Sequence, residues 1–229
     1  MSLVQYRLKV ALILSFQPHQ AMVKCRVGMS GMDENELLIC FMKGFVMAGK
    51  KICVFCSASD RVDDIYKNAA RELGNLIGEG GHTLVWGGGK VGLMGEVARA
   101  AQVSGAELYG VIPESMQDVE IAYTDADELV VTQTMRERKG LMDAKSDVFI
   151  VLPGGIGTLE ELTEIMVLRY LKYHDRPLVL VNINGFYKPF VKLMEHYVQE
   201  KFAKEKHLTL YEVVDSVEDA MQAIHKPVS

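Results

Sequence analysis

FIVLPGGIGTLEELTEIM, from Phe149 to Met166, contains a strand, a turn and the start of a helix in one stretch. Phe149 to Leu152 is a short apolar run of the kind buried in a sheet. Pro153-Gly154-Gly155-Ile156-Gly157 is a tight turn. Thr158 then begins a helix whose apolar positions Leu159, Leu162, Ile165 and Met166 recur at helical spacing. Such a junction can seat an anion, because glycines let the backbone come close and the first helical N–H groups point at the ligand. No Gly-Lys-Ser/Thr follows, so this is not a Walker A loop, and it is not G-x-G-x-x-G either. A plain structural reading competes. Thr158 and Glu161 stand three apart and fit a capping box, with Gly155 and Gly157 only making the turn.

On both sides of this stretch, from Lys50 onward, strands and helices alternate. Ile52–Cys56 reads as a strand, and Ile65–Ile77 as an amphipathic helix with Ala69, Ala70, Leu73 and Leu76 inward. Thr83–Trp86 is a strand, Gly87–Gly95 a second glycine turn, and Leu93–Ser104 a helix. The strands Leu108–Ile112 and Leu129–Val131 follow, then a helix capped by Thr134 with Glu137 in the box position. Beyond the helix that Thr158 opens come the strand Leu178–Val181, a helix over 188–200, a short strand near 210–213 and a terminal helix over 217–224. Strict alternation predicts an α/β fold: a doubly wound, Rossmann-like parallel sheet with helices on both faces. Ligands in such sheets sit beyond the carboxyl ends of the strands, where strand order reverses. Ser57, Gly87–Gly89, Arg138, Lys139 and Gly154–Gly157 all follow strands, so all can meet on one edge.

The chain has 229 residues, enough for one α/β domain with an extension. Residues 50–229 form the expected domain, and residues 1–49 an N-terminal extension of different texture. There Val10–Phe16 is apolar and follows Lys9, yet it lacks a small-residue cleavage site and is too short to span a bilayer. A cytoplasmic protein without a membrane partner is expected. The net charge of -5, with no long basic run, argues against nucleic acid. Cys53 and Cys56 form C-x-x-C, but no second pair completes a zinc site, and Cys25 and Cys40 are irregularly spaced, so structural thiols are expected. His82, His174 and His196 are scattered, and no metal is expected.

The chemistry concentrates in a few residues. Gly154, Gly155, Gly157 and Thr158 can hold a phosphate through backbone N–H groups and a hydroxyl. Arg136, Arg138 and Lys139 crowd one helical turn, and an arginine fork suits phosphate or carboxylate. Glu137 beside them equally allows a solvated face. Glu161 and Glu164 share a helix face, while Glu160 is expected to turn away into solvent. One anion seat, one acid and one cation together suggest a phosphorylated sugar or nucleotide, with the carboxylate stabilising an oxocarbenium-like sugar or orienting water.

GGGKVGLMG, MRERK and PGGIGTLEE together resemble the LONELY GUY family, the cytokinin riboside 5'-monophosphate phosphoribohydrolases long mislabelled as lysine decarboxylases. The resemblance runs from about Lys50 to Ile224. It implies hydrolysis of the N-glycosidic bond of a nucleoside 5'-monophosphate, either a cytokinin riboside monophosphate or AMP, to free base and ribose 5-phosphate. It also implies a homodimer and no cofactor. Glu161 matches the family's catalytic acid and Arg138 its catalytic arginine. Lys139, Gly154, Gly155, Gly157 and Thr158 match nucleotide- or phosphate-contacting positions, Glu96 an acid that helps hold the nucleotide, and Ser57 the ligand loop. Arg136 stands where the family commonly has His, and Ser57-Ala58-Ser59 where Gly-Ser-Ser is common, so the base preference stays open. The rival reading is a non-catalytic nucleotide or molybdenum-cofactor carrier-like protein. A lysine decarboxylase would want pyridoxal phosphate on a framed lysine, and none is present.

Overall fold

The computed structural model describes residues 49–118 and 121–225. The readings of residues 1–48, Cys25 and Cys40 among them, lie outside the described residues. The strands are β1 (Lys51–Phe55), β2 (Thr83–Trp86), β3 (Glu107–Pro113), β4 (Glu128–Thr132), β5 (Val148–Val151), β6 (Leu178–Val181) and β7 (Glu212–Val214). They form one seven-stranded sheet in the order β4-β3-β2-β1-β5-β6-β7. Every pairing is parallel. In the centre Ile52 lies opposite both Leu84 and Val148, and Phe55 opposite Val151. The chain steps outward from β1 to β4 and then returns to pair β5 on the other side of β1. That reversal is where a ligand crevice opens in such sheets.

The helices are α1 (Asp64–Glu79), α2 (Gly92–Val103), α3 (Met135–Lys145), α4 (Ile156–Tyr170), α5 (Lys188–Gln199) and α6 (Val217–Ala223). Alternate residues of each strand point to opposite faces, which sorts the helices into two layers. Ile52, Val54, Val148 and Ile150 pack with Leu73 and Ile77 of α1, Leu93 and Val97 of α2 and Val217 of α6. Cys53, Phe55, Phe149 and Val151 pack with Met142 of α3, Leu162 and Ile165 of α4 and Phe190 of α5. Covering both faces is why the strands read as unbroken apolar runs. Trp86, Phe149, Leu73 and Ile77 are fully buried, and each such side chain contributes about 2 kcal/mol.

The doubly wound sheet agrees with expectation, and β2 and β6 have the expected bounds. The start of α3 does too. Thr134 Oγ1 accepts from the Glu137 N–H at 3.2 Å, and Glu137 Oε2 accepts from the Gln133 and Thr134 N–H groups at 2.9 and 3.3 Å.

The start of α4 does not. The helix does not begin at Thr158 as expected, and the competing capping-box reading of Thr158 and Glu161 fails; Gly155 is the N-cap, extended at φ −88°, ψ −156°, with no side-chain cap bond. Thr158 is already the third helical residue, and only an extended residue can turn its side chain back onto the first N–H groups. The buried stripe runs at i, i+4, i+7 and i+8 from Thr158. Thr158, Leu162, Ile165 and Met166 are buried, while Leu159, expected inward, is exposed. In α1, Ile77 is fully buried and Leu76 only half-buried, so the stripe follows 73 and 77 rather than 73 and 76.

Cys53 and Cys56 are buried and unbridged. Burial above all pushes the Cys53 thiol well up, which keeps it from acting as a nucleophile. Among the described residues no group of His, Cys, Asp and Glu could hold a metal, and no helix is long and apolar enough to cross a membrane.

Candidate active site

A cavity of about 380 Å³ opens beyond the carboxyl ends of β1 and β5, at the reversal of strand order. Val54 and Phe55 of β1, Cys56 just after it and the loop Ser57–Ser59 line one side. Gly87 after β2, Met135, Arg138 and Met142 of α3, and Gly155, Gly157, Thr158, Glu160 and Glu161 at the start of α4 line the rest. Segments far apart in sequence thus converge because each follows a parallel strand.

Ser57 is tied down from three sides. Its N–H donates to the Pro153 carbonyl at 3.3 Å, and its carbonyl accepts from the N–H groups of Leu93 (2.9 Å) and Met94 (3.3 Å). Its Oγ accepts from the Ser59 N–H at 3.0 Å. The loop therefore fixes the start of α2 against the turn before α4.

Arg138 is 3% exposed. Its Nε donates to the Val111 carbonyl at 3.1 Å and its Nη2 to the Gly87 carbonyl at 3.0 Å. Nη1 reaches Met135 Sδ at 3.7 Å. A planar fork held at two points by carbonyls keeps one orientation, so the charge at the cavity wall is preset. The solvated-helix-face reading fails for Arg138 and holds for Arg136, which is exposed.

The start of α4 supplies the opposite wall. The first N–H groups of this helix have no side-chain cap, and its positive end faces the cavity. A Cβ on Gly154 would fall 2.1 Å from Thr158 Oγ1, so Gly154 is required by the packing of Thr158 beneath it. Gly155 and Gly157 are different. Neither has positive φ, and a Cβ on either would meet nothing within 4 Å. The turn does not need them as glycines. What they keep clear is the cavity that both line.

The glycine turn after β2 behaves otherwise. Gly88 and Gly92 have φ +73° and +56°, a Cβ on Gly92 would fall 2.4 Å from the Ala58 carbonyl carbon, and one on Gly87 would fall 1.8 Å from Arg138 Nη2. These glycines are used up by the fold. Gly92 also donates its N–H to Asp60 Oδ1 at 2.8 Å.

Three expected site residues, Gly154, Lys139 and Glu96, do not line the larger cavity. Lys139 faces a smaller neighbouring space of about 40 Å³, with Glu161, Glu164 and Asp143. Its Nζ contacts Glu160 Oε1 and lies 2.8 Å from Glu164 Oε2. Burial pulls the ammonium pKa down, but the two carboxylates outweigh it and the net shift is upward. Glu160 is exposed, as expected, and at the same time pairs with Lys139 of α3 and reaches the edge of the larger cavity. Glu96 on α2 is gripped by Arg71 Nε at 2.6 Å and Arg99 Nη2 at 2.8 Å and lines neither of these two cavities. Burial raises its carboxyl pKa, yet the guanidiniums prevail and hold it below the usual range.

The sequence reading missed Met94, Met116, Met135 and Met142, which line the cavity from two helices, α2 and α3, and the loop after β3. Flexible, polarisable thioethers suit a flat apolar group of variable outline. Only the abundance of methionine, 13 in the chain, hinted at such a wall.

The chain matches the family described as Possible lysine decarboxylase over residues 94–224. It is 42% identical over 172 residues to the cytokinin riboside 5'-monophosphate phosphoribohydrolase of Mycobacterium tuberculosis, covering 75% of this chain and 91% of that protein. It is 39% identical over 179 residues to the enzyme of that name from Rhodococcoides fascians, covering 78% and 90%. A third, from Arabidopsis thaliana, is 35% identical over 182 residues, covering 79% and 80%. Among solved structures, the molybdenum cofactor carrier protein of Chlamydomonas reinhardtii superposes with TM-score 0.59 at 22% identity, covering 77% and 95%, a likeness of fold alone.

Proposed function

The chain belongs to the LONELY GUY family of cytokinin riboside 5'-monophosphate phosphoribohydrolases, and from that premise we propose that it hydrolyses the N-glycosidic bond of a purine nucleoside 5'-monophosphate. The substrate is a cytokinin riboside 5'-monophosphate, AMP or both, and the products are free base and ribose 5-phosphate. The observation that carries the reading is the pair Gly155 and Gly157, which the turn does not require and which keep a helix N-terminus open beside Arg138 and Glu161.

In this reading the 5'-phosphate sits on the backbone N–H groups of Gly154–Thr158, with the Thr158 hydroxyl and the Ser57 loop around it. The base lies toward the methionine wall. Arg138 and Glu161 flank the ribose. As the C1'–N bond breaks, its electron pair leaves with the base and positive charge grows on C1'. Glu161 stabilises that charge and orients the attacking water. The water oxygen ends on C1', and one proton goes to the base. Water is the only co-reactant. Glu96 and Lys139 support the site from outside the larger cavity.

A homodimer and a cytoplasmic location belong to the same proposal. Ile156, Leu159, Val167, Tyr170 and Leu171 make an exposed apolar stripe along α4, on the side away from the sheet. Such a stripe supports association of two copies there. The carrier-like alternative predicts tight nucleotide binding with no turnover.

The deciding experiment incubates the protein with AMP, GMP, CMP and isopentenyladenosine monophosphate and scores released base and ribose 5-phosphate by chromatography. Base release from at least one purine monophosphate, and none from the matching nucleosides, is expected. Binding without release from any of them favours the carrier-like reading.

A further inference from the structure

Lys139 follows Arg138 directly, yet the two cations face different ways. Arg138 lines the larger cavity and rests on carbonyls. Lys139 turns to α4 and bridges Glu160 and Glu164. Those two carboxylates are one helical turn apart, so a single ammonium reaches both. The Lys139 side chain is only 13% exposed, which limits how far solvent could replace it. Glu161 lies between the pair in sequence. Three carboxylates therefore crowd the first turns of a helix whose start is the proposed phosphate seat. An acid-rich seat is a poor one for a dianion, because charges several ångströms apart at a protein surface still interact appreciably.

We propose that Lys139 is a positioning residue that offsets Glu160 and Glu164, so that the phosphate seat can stand beside Glu161 without the repulsion of two further carboxylates. In this role it acts through the two carboxylates it pairs with, in place of the direct phosphate contact that the family resemblance implies. The inference rests on the phosphate seat of the proposed function.

The test measures affinity by calorimetry for inorganic phosphate, AMP and adenosine. It uses the full chain and the variants Lys139→Met, Lys139→Arg and the triple Lys139→Met/Glu160→Gln/Glu164→Gln. Lys139→Met is expected to weaken phosphate and AMP roughly tenfold while leaving adenosine within about twofold. Lys139→Arg keeps the charge and stays close to the parent. The triple variant recovers most of the loss. The Lys139→Met deficit also shrinks between low and high salt, because repulsion is screened and a packing defect is not. That salt dependence is readable even if the variant is less stable. Equal losses for AMP and adenosine, a triple variant that fails to recover, or a deficit indifferent to salt would each overturn the inference. So would a parent protein that binds no phosphate. A parent that binds AMP and phosphate but releases no base defeats the proposed reaction, while the affinity ratios still decide the role of Lys139.

Discussion

Two glycine turns, one after β2 and one after β5, look alike in sequence and answer to different demands. In Gly87–Gly95 the glycines are spent on the protein itself: Gly88 and Gly92 adopt left-handed backbone, and Gly87 makes room for the Arg138 guanidinium. In Pro153–Thr158 only Gly154 is spent this way, against Thr158. Gly155 and Gly157 have ordinary backbone angles and empty space before them. Composition cannot separate the two cases. What a Cβ would meet can, and it distinguishes a turn that holds the fold from one that holds a place for a ligand.

The comparison predicts that changes after β5 cost function and changes after β2 cost stability. The largest effect should come from Glu161→Gln, which removes the charge proposed to face C1'. Base release should fall by about 10³-fold, roughly 4 kcal/mol, with the melting temperature little changed. Near-normal turnover would remove Glu161 from the chemistry. Gly92→Ala should come next, because it forces a side chain into left-handed backbone and against Ala58. A loss of about 3 kcal/mol in denaturant unfolding is expected; a neutral result would break the comparison on the β2 side. Gly157→Ala should leave unfolding within about 0.5 kcal/mol yet raise the KM for the nucleoside monophosphate roughly tenfold, since the methyl enters the space a ligand would take. An unchanged KM would mean that the open space is not the phosphate seat. The smallest effect is Thr134→Ala at the start of α3, where an ordinary cap is lost, at about 1 kcal/mol of stability. This sets the scale of a helix start with no ligand duty, against which α4 can be judged.

Much of the fold was legible because burial on both faces leaves continuous apolar runs, as in Leu178–Val181, and because helix starts carry chemical marks. The same mark also misled. Thr134 and Glu137 match the box pattern and make both of its bonds. Thr158 and Glu161 match it equally well and make neither, because Gly155 had already opened the helix and Thr158 was needed in the core. A local pattern cannot register that competition.

Within the site, the residues after strands were legible because a parallel sheet brings strand ends together. Arg138 stood out by type and spacing, but its two carbonyl anchors come from β3 and the turn after β2, which no local spacing encodes. The methionine wall left only the i, i+7 pair Met135 and Met142 on α3, since Met94 and Met116 come from separate segments. The Arg71–Glu96–Arg99 cluster is likewise a product of α1 packing on α2, and sequence distance hid it.

The anchoring of Arg138 also bears on genetics. Its guanidinium bonds one carbonyl in β3 and one in the turn after β2, so replacing it would loosen the scaffold while removing the charge. A strain carrying such an allele would confound loss of catalysis with loss of protein. A knock-in meant to separate the reaction from the presence of the polypeptide is better made at Glu161, with abundance measured alongside. Rescue of an Arg138 allele by low growth temperature would then report on folding rather than on chemistry.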